Sequence, residues 1–299
     1  MKEIEEILGE WARRGDEPLA LATLVRARGS SYRRPGARML IASDGTTVGV
    51  LSGGCLEEEV AARARETIAN GTPRLLSFDT RLRYGCEGAI DILIEKVQPQ
   101  FFSQIASALR ARKTCTIVTE FARGEFSGSR VLEPEEEAPA EAFVQTLHPP
   151  IQLMLIGAGP DSAALRTFAA TLGWKLIELE EARLLPNEPD EWTAAVVKTH
   201  NYGRDYAALA RLLPLKLRYL ALLGPRRRRD QLLHALHEAG IARHSSLFAP
   251  AGLDLGAESP EEIALAIVSE IQAVFANATA GSLRERKTAI HLLPDFAAA

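Results

Sequence analysis

Two hydrophobic periods alternate along the chain. Ile4, Ile7, Leu8 and Trp11 fall at the spacing of one helical face and predict a helix over residues 3–13. Residues 19–25 are a run of β type. Two short runs, 38–42 and 46–51, flank Asp44-Gly45, a pair that favours the tight turn of a hairpin. The second run tightens into Gly53-Gly54 and opens a helix predicted over 55–69, with Cys55 as its first residue and Asn70-Gly71 marking its end. Further strands are predicted over 75–78, 89–95 and 115–119.

The second half changes rhythm. Residues 123–150 collect Gly124, Gly128, Pro134, Pro139, Pro149, Pro150 and an acidic run, a composition that predicts a linker. A strand at 151–156 then runs into Gly157-Ala158-Gly159-Pro160-Asp161-Ser162 and a helix to residue 172, the opening of a Rossmann-type βα unit. The alternation continues with strands at 175–179, 194–199 and 217–223 and helices at 204–213, 226–239 and 260–277. Ser259, Pro260 and Glu262 carry the signature of a capping box in front of the last helix. The expected fold class is therefore α/β. It comprises an amino-terminal α/β domain with a mixed sheet over 1–122, a linker over 123–150, a Rossmann-like doubly wound parallel-sheet domain over 151–280 and a tail over 281–299.

Composition narrows the function classes. With 299 residues, 46% of them hydrophobic, the chain can bury two ordinary cores. A net charge of −4 and a pI near 6.0 give no global attraction to nucleic acid or anionic membrane, so any anion site is local. No apolar run approaches the length of a membrane span. The first eight residues are acidic and amphipathic, unlike a signal peptide. Cys55, Cys86 and Cys115 are too few and too scattered for a disulfide framework or a structural zinc site, and point to a reducing, cytoplasmic setting.

Candidate chemistry gathers at the turns. A thiol at a helix start has a lowered pKa, and paired glycines let a ligand reach the main chain, so Gly53, Gly54 and Cys55 form one candidate site with Glu57 beside it. The plainer reading makes Cys55 a small buried apolar residue. Upstream, residues 26–38 hold five arginines among glycines and serines. Arg28, Arg34 and Arg38, with Ser30, suit a phosphate, which guanidinium forks bind bidentately. The alternative is a solvated loop. A second cysteine turn contains Cys86, whereas Cys115 lies in an apolar strand and reads as core.

In the second domain Gly157 and Gly159 form the glycine turn, and Glu180, 23 positions after Gly157, stands where a dinucleotide fold has its ribose-binding acid, with Glu178 as the alternative. Ser162 replaces the third glycine, and Asp161 in the first helical turn would repel a pyrophosphate. His200 at a strand's carboxyl end, with Asp205 after it, suits acid/base work or ligation. Arg226 and Arg227 open a run of four arginines at a helix start, unfavourable for the dipole unless they hold an anion or an acidic partner surface. An NAD(P)-dependent oxidoreductase with His200 as acid/base is thus one open reading.

Several blocks together resemble the XdhC/CoxI family of xanthine dehydrogenase accessory proteins. Its amino-terminal domain is resembled by Arg28-Gly29-Ser30-Ser31 with Arg34-Pro35-Gly36-Ala37-Arg38-Met39, by Ser52-Gly53-Gly54-Cys55-Leu56-Glu57, and by Gly85-Cys86-Glu87-Gly88 with residues 91–95. Its Rossmann domain is resembled by Thr199-His200 with Asp205, by Leu223-Gly224-Pro225-Arg226-Arg227 and by residues 252–264. The resemblance runs over about residues 15–280. It implies a chaperone that binds the molybdenum cofactor (molybdopterin type), aids its sulfuration and helps insert it into a molybdenum hydroxylase such as xanthine or carbon monoxide dehydrogenase. It implies a cysteine desulfurase-type sulfur donor as partner, with a homodimer as one allowed assembly. On it, Cys55 is the residue expected to touch molybdenum or the sulfur delivered to it, with Cys86 a likelier helper than Cys115, and the arginines meet the pterin phosphate. Two departures weigh against a nucleotide in the second domain: Pro160 stands where the family often has histidine, and Glu180 where it has aspartate.

Overall fold

The run Leu19–Val25 is apolar except for Thr23 because both its faces are buried. In a strand successive side chains point to opposite sides. Ala20, Ala22 and Leu24 therefore join one core cluster while Leu19 and Leu21 join another. The computed structural model describes residues 1–29, 31–54, 56–79, 88–121, 128–184, 189–241 and 247–287. The chain divides into two units, one over Met1–Pro149 and one over Pro150–Arg286.

In the first unit α1 (Lys2–Arg14) precedes β1 (Leu19–Gly29), β2 (Arg38–Ala42), β3 (Thr47–Gly49), α2 (Glu57–Asn70), β4 (Arg74–Asp79) and β5 (Gly88–Lys96). The five strands form one sheet in the order β3-β2-β1-β5-β4. Every pairing is antiparallel, so the expected mixed sheet is corrected. β2 follows β1 and β3 follows β2 by short connections that reverse the chain, while α2 carries it across from β3 to β4 at the opposite edge. One face packs on α2 through Leu56, Val60, Ala64 and Ile68. The other packs on α1 and on α3 (Pro99–Arg110), through Ile4, Ile7, Phe101, Phe102 and Ile105.

The expected linker is also corrected. β6 (Cys115–Glu120) pairs with β7 (Gly128–Val131) and β8 (Ala142–Leu147), both antiparallel, in a three-stranded sheet. Pro134 and Pro139 lie in the connection between β7 and β8, which is why the composition of this stretch reads as loop. Gly128 is required by contact: a Cβ there would stand 2.6 Å from a Glu95 carboxylate oxygen. Cys115 is buried in this core, as its apolar strand suggested.

The second unit repeats strand and helix. It runs β9 (Gln152–Ile156), α4 (Asp161–Leu172), β10 (Lys175–Leu179), β11 (Thr193–Val197), α5 (Tyr202–Leu212), β12 (Tyr219–Leu222), α6 (Arg226–Glu238), β13 (Leu247–Phe248) and α7 (Pro260–Phe275). The sheet order is β10-β9-β11-β12-β13, with every pair parallel. α4 and α7 cover one face, and α5 and α6 the other. This is the doubly wound arrangement expected, and its strand order reverses between β9 and β11. The capping box before α7 is formed, Ser259 accepting from Glu262 N. Of the expected tail, Leu283–Glu285 makes a single 3-10 turn, and residues beyond 287 lie outside the described set.

Candidate functional site

The turn between β3 and α2 is built around one carboxylate. Glu57 Oε1 accepts from Leu51 N at 3.1 Å and Ser52 N at 2.8 Å, while Oε2 accepts from Ser52 Oγ at 2.8 Å and Leu56 N at 3.0 Å. Leu51, Ser52 and Leu56 are thereby gathered around it, and the helix begins at Glu57 rather than at Cys55. Burial raises the Glu57 pKa, but the hydrogen bonds from Ser52 and Leu56 outweigh it and leave the carboxyl below its usual range. Glu57 therefore shapes the site instead of offering its carboxylate to a ligand. Gly53 and Gly54 are exposed at the outside of this turn, and among the described residues not adjacent in the chain a Cβ at either would meet nothing within 4 Å. Gly54 sits at φ +105°, a conformation glycine adopts at little cost. The turn thus leaves room for a bulky ligand against its main chain. Cys55, Cys86 and Ser30 lie outside the described residues.

The arginines expected in one loop fall into two settings. β1 extends to Gly29, so Arg26 and Arg28 are strand residues, on the same side because they are two apart. Both reach the buried Asp91 on β5, Arg28 at 2.7 Å and Arg26 at 3.5 Å, and Ser77 Oγ donates to the same carboxyl at 2.7 Å. Arg33 and Arg34 remain in the turn before β2. Arg38 is not a surface residue: it is 2% exposed, with Nη1 donating to Gly36 O at 3.1 Å and to Gln145 Oε1. Burial lowers its pKa to about 10, against the opposing fields of Glu95 and Glu3.

In the second unit the reversal point of the sheet brings Gly157, Gly159, Asp161, Lys198 and His200 together. A Cβ on Gly157, whose φ is +102°, would stand 2.6 Å from Thr199 Cα, so this glycine is there for the close approach of β9 and β11. Asp161 is not the free charge expected. Lys198, fully buried, donates to its Oδ1 at 3.2 Å. A Cβ on Gly159 would meet Asp161 Oδ1 at 2.7 Å, Lys198 Nζ at 3.2 Å and His200 Nε2 at 3.6 Å. The space that a side chain on the second glycine would take is occupied by these groups.

Asp205 is likewise corrected: it is fully buried, accepting from Thr199 N at 3.2 Å and Thr199 Oγ1 at 2.5 Å and pairing with Arg228, so it fixes the loop after β11. Glu180 is exposed past β10, and Glu178 pairs with Arg166 at 2.9 Å. Of the four arginines at α6, Arg228 holds Asp205, and Arg229 holds Asp230 and Ala249 O, which leaves Arg226 and Arg227 exposed.

Both halves of the chain match known sequence patterns. The pattern of the XdhC and CoxI family matches residues 12–79, and that of the XdhC Rossmann domain matches residues 153–271. The chain belongs to the XdhC and CoxI family. A probable xanthine dehydrogenase subunit of Bacillus subtilis (strain 168) is 30% identical, the match covering 85% of this chain and 92% of the relative. The molybdenum cofactor insertion chaperone PaoD of Escherichia coli (strain K12) is 27% identical over 85% of this chain and 82% of its own length. A crystal structure described as a xanthine dehydrogenase from Bacillus halodurans superposes with a TM-score of 0.78 at 28% identity, covering 95% of this chain and 98% of that one. In this XdhC-type chain the first matched stretch contains both the arginine-rich turn and the Glu57-centred turn. The second contains the glycine turn of β9.

Sequence reasoning passed over Lys198 and Glu3. A lysine closing an otherwise apolar strand of a parallel sheet is a usable signal, because that position is buried and the charge needs a partner. Glu3 left no such trace on its amphipathic helix. Yet one of its oxygens takes Arg33 at 2.6 Å and the other takes Val50 N at 2.9 Å. Among the described residues no cluster of three metal-ligating side chains occurs, and no helix is long and apolar enough to cross a membrane.

Two outcomes follow from this geometry. The Glu57 carboxyl is held below its usual value of 4.5, so its stabilisation is present above that pH and is lost as pH falls through the lowered value. Glu57→Gln should cost about 1–2 kcal/mol at neutral pH, for charge-assisted hydrogen bonds at a partly exposed site. Urea melts from neutral to acid pH should show the gap between the two proteins closing below pH 4.5; a pH-independent gap would remove the carboxylate from the account. Calorimetric titration with NAD, NADP and their reduced forms should show no binding tighter than the high micromolar range. Low-micromolar affinity would mean that the side chains around Gly159 move aside, and would restore the oxidoreductase reading.

Proposed function

We propose that the chain carries the molybdenum cofactor as cargo and delivers it to a molybdenum hydroxylase in the cytoplasm. The observation that supports this most is the open turn: two exposed glycines with clear space beside them, held by Glu57, directly before Cys55. Molybdenum takes soft sulfur ligands, and a thiolate needs a setting in which its charge is tolerated. Cys55 is the residue proposed to touch the metal or the sulfur delivered to it, with Cys86 as its helper. A cysteine desulfurase-type donor would supply that sulfur. PaoD, which shares most of the chain's length, is described as a molybdenum cofactor insertion chaperone, and the Bacillus subtilis relative as a probable xanthine dehydrogenase subunit; both support the same reading.

The cargo brings the redox centre that the client enzyme uses. This chain's own residues contribute elsewhere. Glu57 keeps Ser52 and Leu56 fixed, so the ligand-facing edge of the turn does not have to be ordered on binding. The glycines let bulk approach the main chain. The second unit, with its glycine face filled, has a packing role in this reading.

The test is metal and pterin analysis of the full chain, purified without oxygen from a molybdate-fed host, together with activation of a molybdenum hydroxylase. The wild type should retain both molybdenum and pterin. Cys55→Ser should lose them and fail to activate the client while melting at the wild-type temperature; Cys115→Ser should retain them with at most a modest loss of stability. Full client activation by Cys55→Ser, or a wild type free of molybdenum and pterin, would overturn the proposal.

A further inference from the structure

The three-stranded sheet of the first unit ends on β8, and among the described residues no strand pairs with its outer edge. An edge strand leaves the N–H and C=O groups of alternate residues without a sheet partner. Proteins blunt such edges with charged residues, with proline or with a covering segment. β8 has neither charge nor proline: it is Ala142-Phe143-Val144-Gln145-Thr146-Leu147, with Val144 40% exposed.

A cleft of about 440 Å³ opens beside this strand. Gln145, Thr146 and Leu147 of β8 line it, together with Met1 and with Tyr32 and Pro35 of the turn before β2. Met1 is 39% and Tyr32 71% exposed, so the cleft shows apolar and aromatic surface to solvent. Its cations are already engaged, Arg33 with Glu3 at 2.6 Å and Arg34 with an interaction of its own. What the cleft offers an occupant is therefore apolar contact and a strand edge rather than a charge.

The chain itself carries a segment of matching chemistry. The second unit closes at Arg286, and Lys287, the last described residue, belongs to the first unit again. After it come Thr288-Ala289-Ile290-His291-Leu292-Leu293 and then Pro294. Ile290 and Leu292 are two apart, the spacing of one strand face, no carboxylate, lysine or arginine interrupts the run, and the proline falls where an added strand would stop. Six extended residues span about 20 Å, the length of the six-residue β8. A tethered segment also meets the edge at an effective concentration that a free peptide or a second copy does not reach. We propose that residues 288–293 add to the outer edge of β8 as a fourth strand, with Ile290 and Leu292 in the cleft against Tyr32. The added strand is an intramolecular strap that covers an otherwise open edge. It lies next to Glu3, which joins Arg33 of the cleft to Val50 N at the start of the Glu57-held turn.

Hydrogen exchange on the full chain, read by mass spectrometry, tests the strap from both sides. In the wild type the amides of residues 289–293 should exchange at least tenfold more slowly than in an unstructured chain. Ile290→Asp combined with Leu292→Asp should speed exchange by about tenfold or more both there and in β8, and Tyr32→Asp in the cleft should do the same to residues 289–293. The amides of β12 should be unchanged in every variant, which shows that the fold is kept. A peptide of residues 287–299, titrated in calorimetry, should bind the double variant at least tenfold more tightly than the wild type, whose edge is occupied. Should the double variant fail to fold, exchange in the wild type and in Tyr32→Asp decides. Fast exchange of residues 289–293 in the wild type, protection indifferent to Tyr32→Asp, or equal peptide binding by wild type and a folded double variant would each overturn the proposal. Protection that disappears on dilution would assign the edge to a second copy's segment, and would overturn it as well.

Discussion

The carboxylate of Glu57 decides the shape of the one turn on which the functional account depends. Four donors, three of them backbone or hydroxyl groups from Leu51 and Ser52, converge on its two oxygens. With the closing bonds made from the inside by a side chain, the outer edge consists of Gly53 and Gly54, with no described residue packed on it. The turn is thereby tied from within by four hydrogen bonds while its glycine edge stays exposed, which lowers the cost of ordering it around a large ligand.

The second unit solves a different problem. A parallel sheet covered on both faces buries the end of β11, and the chain places Lys198 there. That ammonium requires a carboxylate, which Asp161 supplies from the first turn of α4. The pair adds little net stability compared with an apolar replacement, yet removal of either partner alone leaves a buried charge costing about 3–5 kcal/mol. The same pair stands on Gly159, so the requirement for a partner and the closing of the glycine face are one event. Asp205 repeats the logic with Arg228 and Thr199.

Much of this was legible in the sequence where the pattern is local. The period-2 and helical runs located the core strands and helices, the Ser259 capping box was read correctly, and the glycine turn marked the start of the doubly wound sheet. What failed to show was non-local. β7 and β8 are short, and the acidic and proline-rich residues between them dominate the composition, so a sheet read as a linker. The helix start was displaced from Cys55 to Glu57 because a carboxylate at a helix start looks like an ordinary dipole partner, and only the structure shows what it bonds. Arg38 read as a loop arginine because nothing in one strand's sequence reveals that Gln145, more than a hundred residues on, will cover it.

The central claim is that the Glu57-held turn presents a thiolate to molybdenum. X-ray absorption at the molybdenum edge, on the full chain isolated without oxygen with its cargo, tests it most directly. The account predicts a sulfur neighbour contributed by the protein in the wild type, and no protein-held molybdenum with that neighbour in Cys55→Ser exposed to the same cofactor. Identical molybdenum surroundings in the two proteins would contradict it.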